Sequence, residues 1–135
     1  MTLYRLSAAA LLGAALLQAG AAAAQGADGK ALFQKNCAAC HQANGKGIPG
    51  AFPALAGNAL VQGPAAGVAT VLLKGRGGMP DFSASLSDAD IAQVLTYARS
   101  SWGNQAGAVP DTEVAALRES LQAARAGTGR LSNKH

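Results

Sequence analysis

The sequence predicts a small all-α domain, and three observations carry this prediction. Apolar residues recur at the i, i+3, i+4, i+7 spacing of one helix face in Ile91, Val94, Leu95 and Ala98. The stretches between the predicted helices, such as residues 45–53, are rich in glycine and proline and therefore favour loops. The chain has three Phe, two Tyr and one Trp, a thin supply of large side chains, which fits a core built around a large apolar group.

Four helices are predicted, in a single domain without internal repeats. The first covers about residues 28–36, the second begins at Pro64 and extends to about residue 74, and the last covers about residues 111–124. The third begins after Ser87, a predicted N-cap with Asp90 three residues later as an Asp-for-Glu variant of the capping box. The apolar face of the third helix is expected to pack on the first helix, whereas the last helix is expected to lie against the domain or a partner.

The first 24 residues are typical of a secretory signal peptide. Arg5 supplies a positive charge before the Ala/Leu-rich stretch at 6–19, and an alanine-rich site follows. A retained membrane anchor is the alternative, but it needs about 20 strongly apolar residues, and this stretch is mostly alanine after Leu17. We therefore predict cleavage between Ala24 and Gln25 and export to the periplasm.

The predicted organisation is a signal peptide at 1–24, one functional domain at 25–108, and a C-terminal helix with a flexible tail at 109–135. The formal net charge of +4 is modest, the basic residues are scattered and aromatic residues are few. This pattern excludes a nucleic-acid-binding protein.

The strongest functional signal is the sequence Cys37-Ala38-Ala39-Cys40-His41, which has the C-x-x-C-H pattern of c-type haem attachment. Two thiols separated by two residues in a helical turn can reach the two vinyl groups of one porphyrin, and the next residue then lies under the iron. The motif predicts one covalently attached haem c, with thioethers from both cysteines and with His41 as an axial iron ligand.

Three other interpretations of the cysteines were weighed against haem attachment. A thioredoxin-type pair needs no adjacent histidine and usually follows a strand, whereas residues 29–36 are predicted to be helical. A disulfide between Cys37 and Cys40 would close a very small loop. A structural zinc site requires four nitrogen or sulfur ligands, and after the signal peptide the only ones are the two cysteines, His41 and the terminal His135.

Met79 is the predicted second axial ligand, because the only other methionine, Met1, leaves with the signal peptide. The glycines at 75–78 let the backbone approach a flat ligand, and Pro80 favours an extended conformation at the residue before it. The alternative is that Met79 merely fills a gap under a loop. The second histidine, His135, ends the chain and is a poor candidate.

Together these segments resemble the class I cytochromes c over residues 33–104. Within that class the chain resembles the single-haem modules that serve as electron-transfer subunits of bacterial periplasmic and membrane-bound dehydrogenases for alcohols and aldehydes. Such subunits often carry three C-x-x-C-H motifs and this chain carries one, so we expect a free-standing carrier or a reduced subunit. The segments that carry the resemblance are residues 37–41, 47–57, 78–82 and 97–104.

The resemblance implies the class I cytochrome c fold, with helices packed around one haem, and it implies roles for further residues. The carbonyl of Pro53 would accept a hydrogen bond from the outer nitrogen of His41, which fixes the ring. Leu55 would pack against the porphyrin face as a second support of the haem pocket. Phe33 would contact the helix that carries Tyr97.

The predicted ligands indicate an electron carrier rather than an enzyme, because iron bound by both His41 and Met79 has no open position for oxygen, peroxide or substrate. Expected partners are redox proteins: a dehydrogenase or respiratory complex as donor and a cytochrome or oxidase as acceptor. No small-molecule substrate or nucleic acid is expected, and membranes are contacted only through partners. Lys46, Lys74 and Arg76 are expected near the exposed haem edge or the propionates, where they would favour weak docking. The alternative is that they are ordinary solvated charges, and this is the favoured interpretation for Lys46. The alternative to a carrier is a haem enzyme with a labile sixth ligand and peroxidase or gas-binding chemistry.

Overall fold

The computed structural model describes the backbone of residues 24–132 and the side chains of residues 29–128. Within these residues the chain forms six helices and no strand, which confirms the predicted all-α class. The predicted signal peptide, apart from Ala24, and the terminal His135 lie outside the described residues. No described helix is both long enough and apolar enough to span a bilayer. The helices are α1 (Ala24–Asn36), α2 (Ala38–His41), α3 (Ala59–Gln62), α4 (Ala65–Lys74), α5 (Asp88–Ser100) and α6 (Asp111–Ser132).

Helices α1 and α5 cross closely, and their contact forms the centre of the core. Gly29 lies against the backbone of α5, since a Cβ at this position would stand 2.5 Å from the carbonyl oxygen of Gln93. The Phe33 ring, 1% exposed, lies 5.6 Å from the Tyr97 ring and 5.0 Å from the Trp102 ring between centroids. The expected contact between Phe33 and the helix carrying Tyr97 is therefore confirmed.

Helix α5 is the central element, because it contacts α1, α3, α4 and α6. Its predicted capping box is present: Ser87 Oγ accepts from the Asp90 N–H at 3.1 Å, and the Asp90 carboxylate accepts from the Ser87 N–H at 3.1 Å. The apolar face predicted from periodicity is buried, with Ile91, Val94, Leu95 and Ala98 all inside the core.

Helices α3 and α4 form a short pair beside α5. The sequence predicts α4 correctly, with Pro64 as its N-cap, but α3 was not predicted. Asn58 caps α3, because its Oδ1 accepts from the backbone N–H of Leu60 at 2.9 Å and of Val61 at 3.3 Å. Four residues are too few for apolar periodicity to show, and the cap is the only local signal.

Helix α6 packs on its own domain, against α4 and α5. Val114 is fully buried at 0% exposure, and Leu117 and Leu121 are partly buried against the same core. The helix runs to Ser132, beyond the predicted end near residue 124 and into the segment predicted to be a flexible tail. Glycine lowers helix stability by about 1 kcal/mol per residue, but the alanines around Gly127 are strong helix formers.

Candidate haem-attachment site

The C-x-x-C-H residues form a turn and the short helix α2 directly after α1. The Cys37 N–H donates to the Phe33 carbonyl at 2.8 Å, and the His41 N–H donates to the Cys37 carbonyl at 2.9 Å. The helical path of α1 therefore continues almost unbroken to His41. Cys37 and Cys40 are both free thiols and half-buried, so no disulfide joins them.

The environment of Cys37 disfavours its thiolate. Burial, with a smaller contribution from the neighbouring Cys40, raises the pKa of the Cys37 thiol to about 11. Redox-active and zinc-binding cysteines act as thiolates, whereas this thiol is neutral at physiological pH. Across residues 24–132, no three His, Cys, Asp or Glu side chains come together as potential metal ligands. Neither observation favours the thioredoxin or the zinc interpretation.

The His41 ring is oriented by the loop that follows it. The side chain is 8% exposed, and Nδ1 lies 2.9 Å from the Pro53 carbonyl oxygen. Since a carbonyl oxygen only accepts, Nδ1 carries the hydrogen and Nε2 keeps its lone pair. Among the described residues, every fully buried polar side-chain atom has a hydrogen-bond partner. His41 Nε2 has no such partner, so it is not fully buried and remains accessible to solvent. This arrangement suits a histidine that binds metal through Nε2.

The loop between α2 and α3 is folded tightly enough to fix the Pro53 carbonyl. The Gly47 N–H donates to the His41 carbonyl at 2.9 Å, and the Leu55 N–H donates to the Gly45 carbonyl at 2.7 Å. Gly47 has φ +62°, and a Cβ there would stand 2.6 Å from the Pro53 carbonyl oxygen. Only glycine fits such a close backbone approach, so the loop closes directly behind the His41 ring.

Two side chains that follow α5 hold this loop from the far side. Asn104 is 3% exposed; its Nδ2 donates to the Leu55 carbonyl at 3.0 Å and its Oδ1 accepts from the Gly57 N–H at 2.8 Å. Trp102 Nε1 donates to the Ala43 carbonyl at 3.1 Å. The sequence assigned neither residue this role. The one sequence signal for such a role is that Trp102 and Asn104, which both carry side-chain hydrogen-bond donors, follow directly after the end of α5.

Met79 lies at the end of a tight turn and packs, half-buried, against the core. The Met79 N–H donates to the Arg76 carbonyl at 3.0 Å, and the Arg76 N–H donates to the Met79 carbonyl at 3.1 Å. Gly75, with φ +71°, permits this turn, since a Cβ there would stand 2.8 Å from the Met79 carbonyl oxygen. The chain then returns to α4, where the Phe82 N–H donates to the Leu72 carbonyl at 2.8 Å.

The predicted site residues come from three segments that meet at one core. Cys37, Leu55 and Met79 are all partly buried against it, whereas the Pro53 side chain is exposed and its carbonyl makes the contact with His41. Two large apolar side chains of the same loop are exposed, Ile48 at 41% and Phe52 at 39%.

These residues fit a haem. Exposed apolar side chains beside a histidine with an available Nε2 and two free thiols are what a large, flat, mostly apolar group would cover. The two free thiols and the oriented imidazole are the groups that covalent attachment and iron binding require.

Comparison with known families agrees with this chemistry. The family model described as cytochrome C oxidase, cbb3-type, subunit III matches residues 24–97, more than half of the 135-residue chain. The chain belongs to this family of cytochrome c domains. Its fold is the all-α class I cytochrome c fold, and cytochrome c domains bind haem c and transfer electrons. No curated protein matches the chain. The match ends within α5, so α6 lies outside the matched residues.

Proposed function

We propose that this cytochrome c domain is an exported single-haem protein that carries electrons one at a time between redox proteins. Cys37 and Cys40 would attach the haem through thioethers, and His41 and Met79 would be its axial ligands. The observation that carries the proposal is the 2.9 Å contact between His41 Nδ1 and the Pro53 carbonyl. It orients the imidazole of the C-x-x-C-H motif and leaves Nε2 available.

Different residues of the chain would set the reduction potential of the iron and limit access to it. When bound, the haem supplies the one-electron couple between ferrous and ferric iron. The hydrogen bond to the Pro53 carbonyl fixes the orientation of the His41 ring. The Met79 thioether favours the ferrous state and fills the position that oxygen, peroxide or carbon monoxide would otherwise take. The buried core around Phe33 limits the access of water, which favours the less charged, reduced state.

The charges on the two ligand-bearing loops support transient docking to acidic partners. Lys46 lies on the loop that carries Pro53, and Lys74 and Arg76 flank the turn that carries Met79; all three are exposed. Such charges accelerate encounter more than they strengthen binding, which suits a carrier that must dissociate after each transfer. A dehydrogenase or respiratory complex is the proposed donor, and a cytochrome or oxidase the proposed acceptor. The resemblance to single-haem dehydrogenase modules supports the choice of a dehydrogenase.

The first test is the state of the protein exported by a host with a c-type haem-maturation system. Its mass should equal that of the chain from Gln25 onwards plus one haem, and it should be recovered from the periplasm. A periplasmic product without covalent haem would contradict the attachment through Cys37 and Cys40.

The second test separates a carrier from a haem enzyme with a labile sixth ligand. The reduced protein is mixed with carbon monoxide at neutral pH, and its optical spectrum is followed. A carrier whose iron holds Met79 should show little change. Rapid and complete carbon monoxide binding by the unmodified protein would overturn the carrier proposal.

A further inference from the structure

The segment between Met79 and α5 is held by a side chain of α6. Arg118, with 17% of its side chain exposed, directs its guanidinium at the segment 83–88. Nε donates to Asp88 Oδ1 at 2.7 Å, Nη2 donates to the Leu86 carbonyl at 3.0 Å, and Nη1 donates to the Ser83 carbonyl. One side chain therefore fixes three points of a connection that has no regular structure until α5 begins.

The Met79 turn itself has few anchors. Its two backbone hydrogen bonds join Arg76 and Met79 to each other and do not attach the turn to the rest of the domain. The residues around Met79 are exposed, including Gly77, Gly78 and Pro80. Downstream of the turn, the Phe82 N–H donates to the Leu72 carbonyl of α4. The next residue, Ser83, is bound through its carbonyl by Arg118.

We propose that Arg118 is a positioning residue that keeps Met79 on the haem iron by fixing the 83–88 segment. The inference rests on the proposed function, in which Met79 is an axial ligand. A guanidinium suits the task because it is planar, permanently charged and presents several donors in a rigid fork. Its hydrogen bonds are charge-assisted and stronger than those between neutral groups. Helix α6, which supplies this support, lies outside the residues 24–97 that the family model matches.

The proposed role acts through local opening. In the proposed site, Met79 would be held to the iron only by a coordinate bond from its sulfur, whereas His41 would be kept beside the haem by the covalent attachment at the adjacent Cys40. When the 83–88 segment loosens, the Met79 turn can move away while the rest of the domain stays folded. Arg118 therefore determines how often the sixth position opens rather than whether the domain folds.

The test compares Arg118→Leu with the unmodified holoprotein. We measure the rate of carbon monoxide binding to the reduced protein, the reduction potential, and the methionine-to-iron charge-transfer absorption of the oxidised protein. Arg118→Leu removes all three of these hydrogen bonds and should bind carbon monoxide at least tenfold faster, since the loss of a single hydrogen bond to a charged group already has an effect of about that size. Its potential should fall, its charge-transfer band should weaken, and its haem should remain covalently attached.

Val114→Ala is the matched control, because Val114 is on the same helix and fully buried but makes none of the hydrogen bonds to the 83–88 segment. It should lower the urea midpoint and leave carbon monoxide binding and potential unchanged. Arg118→Lys, which keeps the charge and loses the fork, should lie between the unmodified protein and Arg118→Leu, and it replaces the latter if that variant does not fold.

Equal carbon monoxide rates and potentials in the unmodified protein and both Arg118 variants, with only the urea midpoint lowered, would overturn the inference. The proposed function is tested separately by Met79→Ala. If the unmodified protein binds carbon monoxide as fast as Met79→Ala does, Met79 is not a ligand and the function itself fails.

Discussion

The loop that follows His41 and the segment that carries Met79 are held in place by different means. The His41 loop is joined to itself and to α2 by backbone hydrogen bonds, and the buried amide of Asn104 braces it. The backbone hydrogen bonds of the Met79 turn close it only on itself, although the Met79 side chain packs against the core. The segment downstream of the turn is held by the Phe82 N–H on α4 and by Arg118, a partly exposed side chain of α6.

The difference corresponds to how each ligand would be attached. His41 is adjacent to Cys40, so the proposed covalent attachment would keep it at the iron, and the protein would have only to orient its ring. Met79 has no covalent tether, so its position depends on the rigidity of the surrounding backbone. We expect the Met79 side to open first under any stress, and the His41 side to open only when the whole domain unfolds.

Replacing both Cys37 and Cys40 by alanine should have the largest effect, because it removes the tether that distinguishes the two sides. Covalent haem should be lost completely, as shown by haem staining on a denaturing gel, and the domain should no longer fold stably. Cys37→Ala alone is the graded control. Haem that stays on the denatured double variant would exclude attachment through these thiols.

Met79→Ala should have the next largest effect, confined to one side of the haem. The haem should stay covalently attached, the reduction potential should fall, and the reduced protein should bind carbon monoxide fully. Met79→Leu keeps a similar volume without the ligating sulfur and should behave like Met79→Ala. If Met79→Leu instead retained the potential of the unmodified protein, Met79 would be a packing residue under a loop.

The sequence predicts well whatever depends on local patterns. The capping box at Ser87 and the buried face of α5 follow from spacing alone, and both are confirmed. The C-x-x-C-H motif is also a local pattern, because haem attachment requires the two cysteines and His41 to be close together in the sequence. The 2.9 Å contact of His41 with Pro53 was expected only from the resemblance, because nothing local links residues twelve positions apart.

Long-range polar contacts could not be predicted. Arg99 is 6% exposed and donates to the carbonyls of Val61, Gly63 and Gly107. Its pattern in the sequence is that of an ordinary solvated arginine at a helix end. Arg118, inside α6, likewise has the sequence context of an ordinary solvated arginine. Every residue has a backbone carbonyl, so the sequence does not indicate which carbonyls will accept from a distant arginine. These contacts can be identified only in the folded structure.

Asn104→Ala should have an intermediate effect, and it tests whether the His41 side is coupled to overall stability. The variant removes the hydrogen bonds of Asn104 with the Leu55 and Ala98 carbonyls and with the Gly57 N–H. It should lower the free energy of unfolding by about 2 kcal/mol, measured with urea. At neutral pH it should still exclude carbon monoxide. Gln105→Ala, at an exposed neighbouring position, should change neither property. If Asn104→Ala admitted carbon monoxide as readily as Arg118→Leu does, the two sides would not be independently held.

Arg125→Leu should have the smallest effect and sharpens the assignment on the Met79 side. Arg125 and Asp81 form an ion pair at 3.6 Å, with side chains 55% and 38% exposed, so the pair is screened by water and salt. It lies closer in sequence to Met79 than the contacts of Arg118 do, and proximity alone would make it the more important anchor. If hydrogen bonding and burial decide instead, Arg125→Leu should leave the carbon monoxide rate and the potential within experimental error of the unmodified protein, at low and at high salt. A change as large as that in Arg118→Leu would show that Arg125, through its ion pair with Asp81, also positions Met79.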